Sequence, residues 1–558
     1  MTGEPTVGAR RRPSGMVIAL VSWFVGALIF FRASFQSGFD KIAGNVGDAR
    51  LIAVLHEHWV DVWRGKAAWR SPNFFYPQRG ALGYSDTFAL NEVFYLPLRA
   101  AGFDMYAAFQ WTLILLSLVG FASVFHLCRR WLHLPLAVSA LLAWAFCFAN
   151  SLYLKAGHPQ LYSVYWLPLV LLLAVTSCHA TTRRAAVVLA VAAGMMLGLV
   201  TYSTYYIGWF ALLATGMFVV VFGLLRVFVE GWRAVLGVAK QALPRLAAGA
   251  GGFAIAMVPF AATYLPVLEK NGGHDYATAM SFAPGPGDLV NVGGNNYVWG
   301  GLLHKIFGDS SPRLANGEVS LALTPILALS VVALALAAVV VGRRRGGRDR
   351  STDLALSLGI VAVCLAVLPV RFGLGSLWTI PWHAVPGAVA IRAIGRVQIV
   401  NVLVAVLAVA VSLRVVAYRQ GAAQRLPVRS LAIALLALIA IEQINTDRNS
   451  IVDRSDELQL IIDAPDAPGS CQAFFITDSG PAVPSFQSNI DAMIIAQSKG
   501  LPTLNGYSGQ LPQGWNLDPS NPGYLDQVRS WMALEQMSTQ GICSYDRATH
   551  RWSETPLG

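Results

Sequence analysis

The sequence predicts an α-helical polytopic membrane protein with about eleven transmembrane helices and a small external α/β domain at its C-terminus. Hydrophobic residues make up 55% of the 558-residue chain, and charged residues make up only 13%. Soluble domains carry about 25% charged residues, so most of this chain is expected to have lipid as its solvent. A soluble globular protein is therefore excluded.

The spans are predicted from runs of about 20 apolar residues, the length that crosses the hydrocarbon core as a helix. The first run is long, lacks a small-residue cleavage site and is followed by many others, so it is counted as a span and not as a signal peptide. The predicted spans are residues 15 to 33, 105 to 127, 134 to 150, 161 to 178, 185 to 203, 205 to 228, 247 to 268, 319 to 342, 354 to 370, 398 to 417 and 430 to 445.

The basic residues between the spans predict the orientation, because cytoplasmic loops are enriched in Lys and Arg. The basic clusters fall in alternate connections, so the N-terminus is expected in the cytoplasm. They are Arg10 to Arg12, Arg129 with Arg130, Arg183 with Arg184, Arg226 to Arg245, Arg343 to Arg350, and Arg414 to Arg429. A nucleic-acid-binding protein would gather its net charge of +11 on one surface, so nucleic acid is excluded as a partner.

The opposite, external face receives the long segments, and the function is expected there. Residues 1–445 are predicted to form the membrane domain, with external loops at 34–104, 269–318 and 371–397, and residues 446–558 an external soluble domain. Cys471 and Cys543 both fall in this tail and predict a disulfide in an oxidising compartment. Closing that loop of about 70 residues is worth about 4 kcal/mol in the chain-entropy model.

The first external loop begins with an aspartate and an amphipathic pattern. Leu51, Leu55 and Trp59 recur at helical spacing, which predicts a helix lying on the membrane surface. Asp48 either caps this helix, worth about 1 kcal/mol, or takes a proton from a substrate hydroxyl. Spacing alone favours the cap. Glu57, on the same helix, is a further candidate for substrate binding.

A second carboxylate, Asp86, follows later in the same loop. It belongs either to an ordinary Ser-Asp turn or to the site. Together Asp48 and Asp86 offer oxygen ligands to a divalent cation. The aromatic residues Phe74, Phe75 and Tyr84 are predicted to anchor the loop among the lipid headgroups.

Two further external turns carry candidates for phosphate or sugar binding. Lys155 and His158 lie where the third span turns into the fourth. A lysine at a helix end usually extends its charge into water, but a cation and an imidazole beside Gly157 also suit a phosphate. Tyr205 marks the next external turn, where it belongs to the aromatic belt or stacks on a sugar.

Arg392 and Arg396 precede the tenth span on the external side, against the usual charge bias. Pairing with acidic loop residues is one explanation. The other is an anionic ligand, because guanidinium groups match phosphate oxygens and neutralise a leaving phosphate.

The layout resembles the C-type (GT-C) superfamily of polyprenyl-phosphate-sugar-dependent glycosyltransferases. The shared features are about eleven spans, a large first external loop with an aspartate soon after the first span, and an external C-terminal part. Three segments also look like bacterial multi-spanning proteins of unassigned activity. They are Gly47-Asp48-Ala49-Arg50, Phe74-Phe75-Tyr76-Pro77 with Ser85-Asp86, and Asn505-Gly506-Tyr507-Ser508-Gly509. The last segment is first of all a turn pattern.

The resemblance implies that Asp48 is the base on the acceptor hydroxyl while the sugar leaves a lipid phosphate, with inversion at the anomeric carbon. It implies a polyprenyl-phosphate donor such as undecaprenyl phosphate, a glycan, lipid or protein acceptor, and the periplasmic face of a bacterial inner membrane. Asp48 is flanked by Gly47 and Ala49 instead of a second acid, which puts a need for Mg²⁺ or Mn²⁺ in doubt. The tail has no Trp-Trp-Asp motif, which disfavours oligosaccharyltransferase activity.

Two other functions stay open from the sequence. A transporter or flippase of a lipid-linked sugar would carry ionisable residues in the middle of its spans. A polysaccharide polymerase or ligase would also act at the external face with arginines, but on a lipid-diphosphate donor.

Overall fold

The computed structural model describes residues 15–320, 323–344, 349–373, 375–418, 426–447, 452–481 and 483–554. This part of the chain is mostly helical, with a small mixed sheet near the C-terminus, and the predicted fold class is confirmed. Some residues used to predict the orientation lie outside the described ranges. They are Arg10, Arg11, Arg12, Arg345, Arg348, Arg419 and Arg425.

Sixteen α-helices in the described ranges have nine residues or more. They are α1 (Gly15–Phe30), α2 (Asp48–Trp63), α3 (Glu92–Ala100), α4 (Met105–His126), α5 (Leu136–Cys147), α6 (Leu167–Cys178), α7 (Arg183–Ser203), α8 (Tyr205–Glu230), α9 (Trp232–Asn271), α10 (Pro325–Arg344), α11 (Arg350–Val367), α12 (Val397–Leu413), α13 (Leu426–Glu442), α14 (Arg454–Asp463), α15 (Ser485–Lys499) and α16 (Tyr524–Leu534).

Each of the predicted apolar segments overlaps one of these helices. Among the described residues, nine helical segments are long and apolar enough to cross a membrane, judged by length and composition. The helix α1 is shorter, with 16 residues. The helix α9 is much longer than predicted, with 40 residues. At about 1.5 Å per residue it extends roughly 60 Å, about twice the thickness of the hydrocarbon core.

The strands are short and lie outside the helical layer. They are β1 (Lys41–Ile42), β2 (Arg371–Phe372), β3 (Gly375–Ser376), β4 (Val452–Asp453), β5 (Ala473–Thr477), β6 (Ile542–Asp546) and β7 (Arg551–Ser553). Strand β1 of the first external loop pairs antiparallel with β4 of the tail, and β2 pairs with β3. In the tail, β5 pairs parallel with β6, and β6 pairs antiparallel with β7.

A disulfide joins Cys471 and Cys543 beside this three-stranded sheet. Their Cα atoms are 5.7 Å apart, and 72 residues separate them in sequence. Helix α15 packs against β5 and α14. The tail therefore contains a small α/β unit, and the disulfide links the segment just before β5 to β6.

Helix α2 does not lie on the membrane surface as its sequence predicts, because the tail covers it. Ten of its 16 residues are buried. It packs against α3 and α4 on one side and α15 on the other. Arg50, only 4% exposed, pairs with Glu457 at 2.7 Å and with Asp491. Removing one member of a buried ion pair typically costs about 3 to 5 kcal/mol, so these contacts fix α2 against the tail.

The aromatic residues of the first loop also pack against the tail and not among lipid headgroups. Phe74, Phe75 and Tyr84 are 1%, 0% and 5% exposed. The ring of Phe75 meets that of Trp515 edge to face, with centroids 5.0 Å apart. An apolar ring gains more from burial in such a contact than from the wet headgroup region, so the belt prediction for these residues is wrong.

Candidate active site

Four connections between helices bring seven charged or ionisable side chains together, and we call this group the charged cluster. The first loop supplies two carboxylates, and the turn between α5 and α6 supplies a lysine and a histidine. The loop before α10 supplies a glutamate, and the segment before α12 supplies two arginines. The members are Asp48, Asp86, Lys155, His158, Glu318, Arg392 and Arg396.

Asp48 is the first residue of α2, but it does not cap the helix. Asn45 does so, because its Oδ1 accepts hydrogen bonds from the backbone N–H groups of Gly47 at 3.0 Å and Asp48 at 2.6 Å. The Asp48 carboxylate points to another segment. Its Oδ2 accepts hydrogen bonds from His158 Nδ1 at 2.5 Å and from Gln160 Nε2 at 2.9 Å. The carboxylate therefore contacts the turn between α5 and α6 and not the start of its own helix.

His158 bridges two carboxylates. Its Nδ1 contacts Asp48, and its Nε2 contacts Glu318 Oε1 at 2.9 Å. Burial lowers the pKa of His158, but the hydrogen bonds to Asp48 and Glu318 outweigh it and raise the pKa above the usual value. Burial raises the pKa of Asp48, but His158, Gln160 and Arg396 outweigh it and lower that pKa. At neutral pH Asp48 is therefore an ionised carboxylate held by an imidazole that favours its protonated form.

Arg396 pairs with an acidic loop residue, Glu318. Its Nε lies 3.1 Å and its Nη2 2.6 Å from Glu318 Oε1. Its guanidinium also lies over the ring of Tyr206, 5.5 Å from the centroid. Burial raises the pKa of Glu318, but His158, Arg396 and Lys155 outweigh it and lower that pKa. Arg396 thus already binds an anion, and that anion is a side chain of this protein.

Lys155 does not extend its charge into water, because its side chain turns inward. It is 1% exposed, and its Nζ donates hydrogen bonds to the carbonyl oxygens of Gly317 at 2.6 Å and Ser320 at 2.8 Å. Burial lowers the pKa of Lys155 to about 8, although the charge of Glu318 opposes that change. Lys155 therefore holds the loop that carries Glu318.

Asp86 lies at the start of α8, beside Tyr205. Its Oδ1 accepts a hydrogen bond from the Tyr205 backbone N–H at 3.0 Å. Burial raises the pKa of Asp86 to about 6, and the charge of Asp48 adds to the increase. The Tyr205 hydroxyl donates to the carbonyl of Gly387 at 2.9 Å. Tyr205 therefore ties the segment that leads to Arg392 to the start of α8.

Arg392 differs from Arg396 in having a free guanidinium. Its backbone N–H donates to the hydroxyl of Tyr206 at 3.0 Å, and its guanidinium lies over the ring of Phe282, 5.8 Å from the centroid. Among the described residues no carboxylate or hydrogen-bond acceptor pairs with that guanidinium. Arg392 is therefore the arginine of the cluster that has no protein anion as a partner among the described residues.

Glu57 does not join the charged cluster. It lies nine residues after Asp48 in α2, roughly 13 Å along the axis. Its carboxylate accepts hydrogen bonds from Tyr95 at 2.6 Å and from Arg99 Nη2 at 2.9 Å. Glu57 therefore links α2 to α3.

The described residues show no set of side chains arranged around a divalent cation between Asp48 and Asp86. The contacting oxygen of Asp48 already accepts two hydrogen bonds, and Asp86 contacts a backbone N–H group. In the described ranges no group of three or more His, Cys, Asp or Glu side chains is arranged to hold a metal. The chemistry below is therefore derived from these side chains alone.

Three residues near Asp48 have no motif in the sequence that marks them. Glu318 stands in a loop without a recognisable pattern, and only the need of Arg396 for an acidic partner points to it. Gln160 follows His158 by two residues. Tyr507 lies in a segment that first indicates a turn, yet its hydroxyl is placed beside Gly47.

Comparisons with known proteins give matches by structure but not by sequence. No family model matches the sequence, and no curated protein matches it. The oligosaccharyltransferase of Archaeoglobus fulgidus, in its apo form, aligns with 96% of this chain and 69% of its own, at 14% identity and a TM-score of 0.45. The same protein in complex with Zn and sulfate aligns with 95% and 68%, at 13% identity and a TM-score of 0.44.

A second solved protein aligns over similar lengths. ArnT from Cupriavidus metallidurans, bound to undecaprenyl phosphate, aligns with 88% of this chain and 84% of its own, at 13% identity and a TM-score of 0.42.

Proposed function

We propose that this protein is a membrane glycosyltransferase that takes a sugar from a polyprenyl-phosphate donor at the external face. The observation that carries the proposal is the charged cluster. It combines an ionised carboxylate, Asp48, with the guanidinium of Arg392, which has no acidic partner among the described residues, and the charges of both act on Tyr507. A base beside an anion-binding group at that boundary suits a reaction between a soluble or lipid acceptor and a lipid-borne phosphate.

The reaction needs one proton transfer and one displacement. Asp48 takes the proton of the acceptor hydroxyl, and the acceptor oxygen forms a bond to the anomeric carbon. The bond from that carbon to the phosphate oxygen breaks, and its electron pair leaves with the phosphate. Arg392 and Arg396 neutralise the charge that develops on the phosphate. Direct displacement of this kind inverts the anomeric carbon.

His158 and Gln160 orient the base. Two hydrogen bonds to one carboxylate oxygen leave the other oxygen for the acceptor. The protonated form of His158 also keeps Asp48 ionised before the acceptor binds, which a base requires.

The charge balance of the cluster favours a monophosphate donor over a diphosphate. It contains four basic side chains, among them His158 with a raised pKa, and three carboxylates. A sugar esterified to a polyprenyl monophosphate carries about one negative charge, whereas a diphosphate carries about two. The surplus of one positive charge matches the monophosphate, and this supports a transferase over a polymerase or ligase.

The apolar helices offer little support for transport. In the nine long apolar segments among the described residues, Asp, Glu, Lys and Arg lie within five residues of either end, apart from Lys240 and Arg245 in the first half of α9. Intramembrane transport paths are usually marked by ionisable groups at mid-depth.

The proposal is tested with the full-length protein in liposomes that contain polyprenyl monophosphates carrying different sugars. Bacterial envelope extract supplies acceptors, and the release of free polyprenyl phosphate is measured. We expect release with at least one sugar, and none when the same sugars are offered on the diphosphate. Turnover of the diphosphate donors alone would favour the polymerase or ligase.

We expect Arg392→Gln to weaken the binding of decaprenyl phosphate by about 10-fold to 100-fold. A hydrogen bond to a charged group is worth about 1.5 to 3 kcal/mol, and each 1.4 kcal/mol is tenfold in affinity. The fold should survive, because the guanidinium has no protein anion to leave unpaired among the described residues. Binding is measured in nanodiscs, with Arg529→Gln as a control, since Arg529 forms a largely exposed pair with Asp526 in α16. Unchanged affinity in Arg392→Gln would remove Arg392 from the donor site.

We expect the affinity for decaprenyl phosphate to fall as the pH rises through about 8. Burial lowers the pKa of Lys155 to about 8, so its charge is present below that pH and lost above it. His158, whose pKa is raised above its usual value, loses its charge in the same direction. The second pKa of a phosphate monoester is near 6, so the charge of decaprenyl phosphate changes little from pH 7 upward.

Lys155→Met isolates the contribution of the lysine. This variant should bind more weakly at pH 7 and should lose less affinity between pH 7 and pH 9 than the unaltered protein. An unaltered protein whose affinity is constant from pH 7 to pH 9 would contradict the prediction.

A further inference from the structure

A loop of the C-terminal domain reaches the first external loop and forms backbone hydrogen bonds with it. The N–H of Tyr76 donates to the carbonyl of Thr503 at 2.9 Å, and the N–H of Phe75 donates to that of Asn505 at 3.0 Å. The two loops thus run side by side for several residues, and the next residues of the tail continue toward Asp48.

The residues on either side of Tyr507 are fixed. The amide of Asn505 accepts from the N–H of Ile476 at 2.8 Å and donates to the hydroxyl of Tyr524 at 3.0 Å. A Cβ on Gly506 would lie 2.2 Å from the ring of Phe75, so only glycine allows this approach. On the other side, the hydroxyl of Ser508 donates to the carbonyl of Tyr84 at 2.6 Å. Tyr507 is therefore presented by a rigid loop.

The side chain of Tyr507 ends beside the start of the helix that carries Asp48, where the charge of Arg392 also acts on it. A Cβ placed on Gly47 would lie 3.0 Å from the Tyr507 hydroxyl oxygen, so that oxygen is next to the start of α2. Among the described residues this hydroxyl has no hydrogen-bond partner. Burial raises the pKa of Tyr507, the charge of Asp48 raises it further, and the charge of Arg392 lowers it. Both groups are thus near the hydroxyl, and the phenol stays protonated at neutral pH.

A protonated hydroxyl at this position is a hydrogen-bond donor without an acceptor in the protein. The Asp48 oxygen that faces the cluster already accepts two hydrogen bonds. The ligand that fits between a neutral O–H donor and a free guanidinium is an anionic oxygen, because both groups donate and a charge-assisted hydrogen bond is the stronger kind.

We propose that Tyr507, supplied by the C-terminal domain, donates a hydrogen bond to an oxygen of the donor phosphate that Arg392 also binds. This inference rests on the proposed function and adds one residue and one domain to its donor site. The membrane domain alone therefore has an incomplete phosphate site, and docking of the tail completes it. The close packing of Gly506 and Asn505 serves to hold this one hydroxyl in place.

The test is the binding of decaprenyl phosphate to full-length protein in nanodiscs, with decaprenol as the same chain without phosphate. We expect Tyr507→Phe to weaken phosphate binding about tenfold or more and to leave the melting temperature unchanged. Tyr545→Phe is the matched control, because its hydroxyl contacts His550 within the same domain, and it should bind as the unaltered protein does.

A second measurement separates direct contact from a structural effect. If Tyr507 and Arg392 bind the same phosphate, the losses from Tyr507→Phe and Arg392→Gln should be clearly non-additive in the double variant. This inference is overturned if the unaltered protein binds decaprenyl phosphate and Tyr507→Phe binds it equally well. The proposed function would then still stand. Unaltered protein that binds decaprenyl phosphate no better than decaprenol overturns both.

Discussion

Asp48→Asn is expected to reduce sugar transfer by about 10²-fold to 10⁴-fold, the range that a positioned general base contributes. The amide cannot take the proton of the acceptor hydroxyl, so the displacement must proceed from a neutral nucleophile. The measurement is the release of polyprenyl phosphate from a sugar donor that the unaltered protein turns over. The effect belongs to the chemical step, so turnover at saturating donor concentration should fall.

The fold should tolerate this change. Asn45 and not Asp48 caps α2, so the helix start keeps its hydrogen bonds. The amide oxygen of the new residue can accept the bonds that His158 and Gln160 now donate to the carboxylate. Binding of decaprenyl phosphate should be equal or tighter, because a negative charge beside the phosphate has been removed.

The control is Asp526→Asn, which changes an aspartate in the first turn of α16. Asp526 is 81% exposed and pairs with Arg529. Transfer by this variant should match the unaltered protein. Full turnover by folded Asp48→Asn would show that Asp48 is not the base, and Asp86, whose pKa burial raises to about 6, would then be the next carboxylate to replace.

The apolar helices could be predicted from the sequence because their cause is local. Each needs about 20 consecutive apolar residues, and every predicted run overlaps a helix. The length of α9 could not be predicted in the same way. Its first turns carry Arg233, Lys240 and Arg245 and do not meet the apolar criterion, yet the helix continues through them.

The environment of α2 and the partners of Asp48 could not be predicted, because their causes are distant in sequence. The apolar face of α2 fits a membrane surface as well as it fits another domain, and only the position of the tail decides between them. Asp48 after a glycine looks like a cap until Asn45 is seen to fill that role. The pairing of Arg396 with Glu318 joins residues 78 positions apart.

Arg396→Gln and Glu318→Gln are expected to change phosphate binding in opposite directions. Under the proposed function Arg396 binds the donor phosphate, and Glu318, which now pairs with Arg396, would compete with it. Removing the carboxylate in Glu318→Gln should therefore tighten binding of decaprenyl phosphate, by about tenfold if one charge-assisted bond is released. Arg396→Gln should weaken the same binding by at least that factor.

The melting temperatures of these variants should not follow their affinities for phosphate. The side chains of Arg396 and Glu318 are only 14% and 18% exposed. Arg396→Gln leaves the carboxylate with His158 as its remaining charged contact, and breaking such a pair costs about 3 kcal/mol. The melting temperature should fall in Arg396→Gln and recover in the double variant, because that variant has no unpaired charge. Phosphate affinity should not recover in the double variant.

The ion pair of Arg454 with Asp104 provides a matched control. It also joins an arginine to a carboxylate from a distant segment, but it lies outside the charged cluster. Arg454→Gln should lower the melting temperature and leave phosphate binding unchanged. If Glu318→Gln weakens binding of decaprenyl phosphate, then Glu318 does not compete with the donor. Arg396 would in that case be a structural partner of Glu318, and Arg392 would remain as the arginine of the donor site.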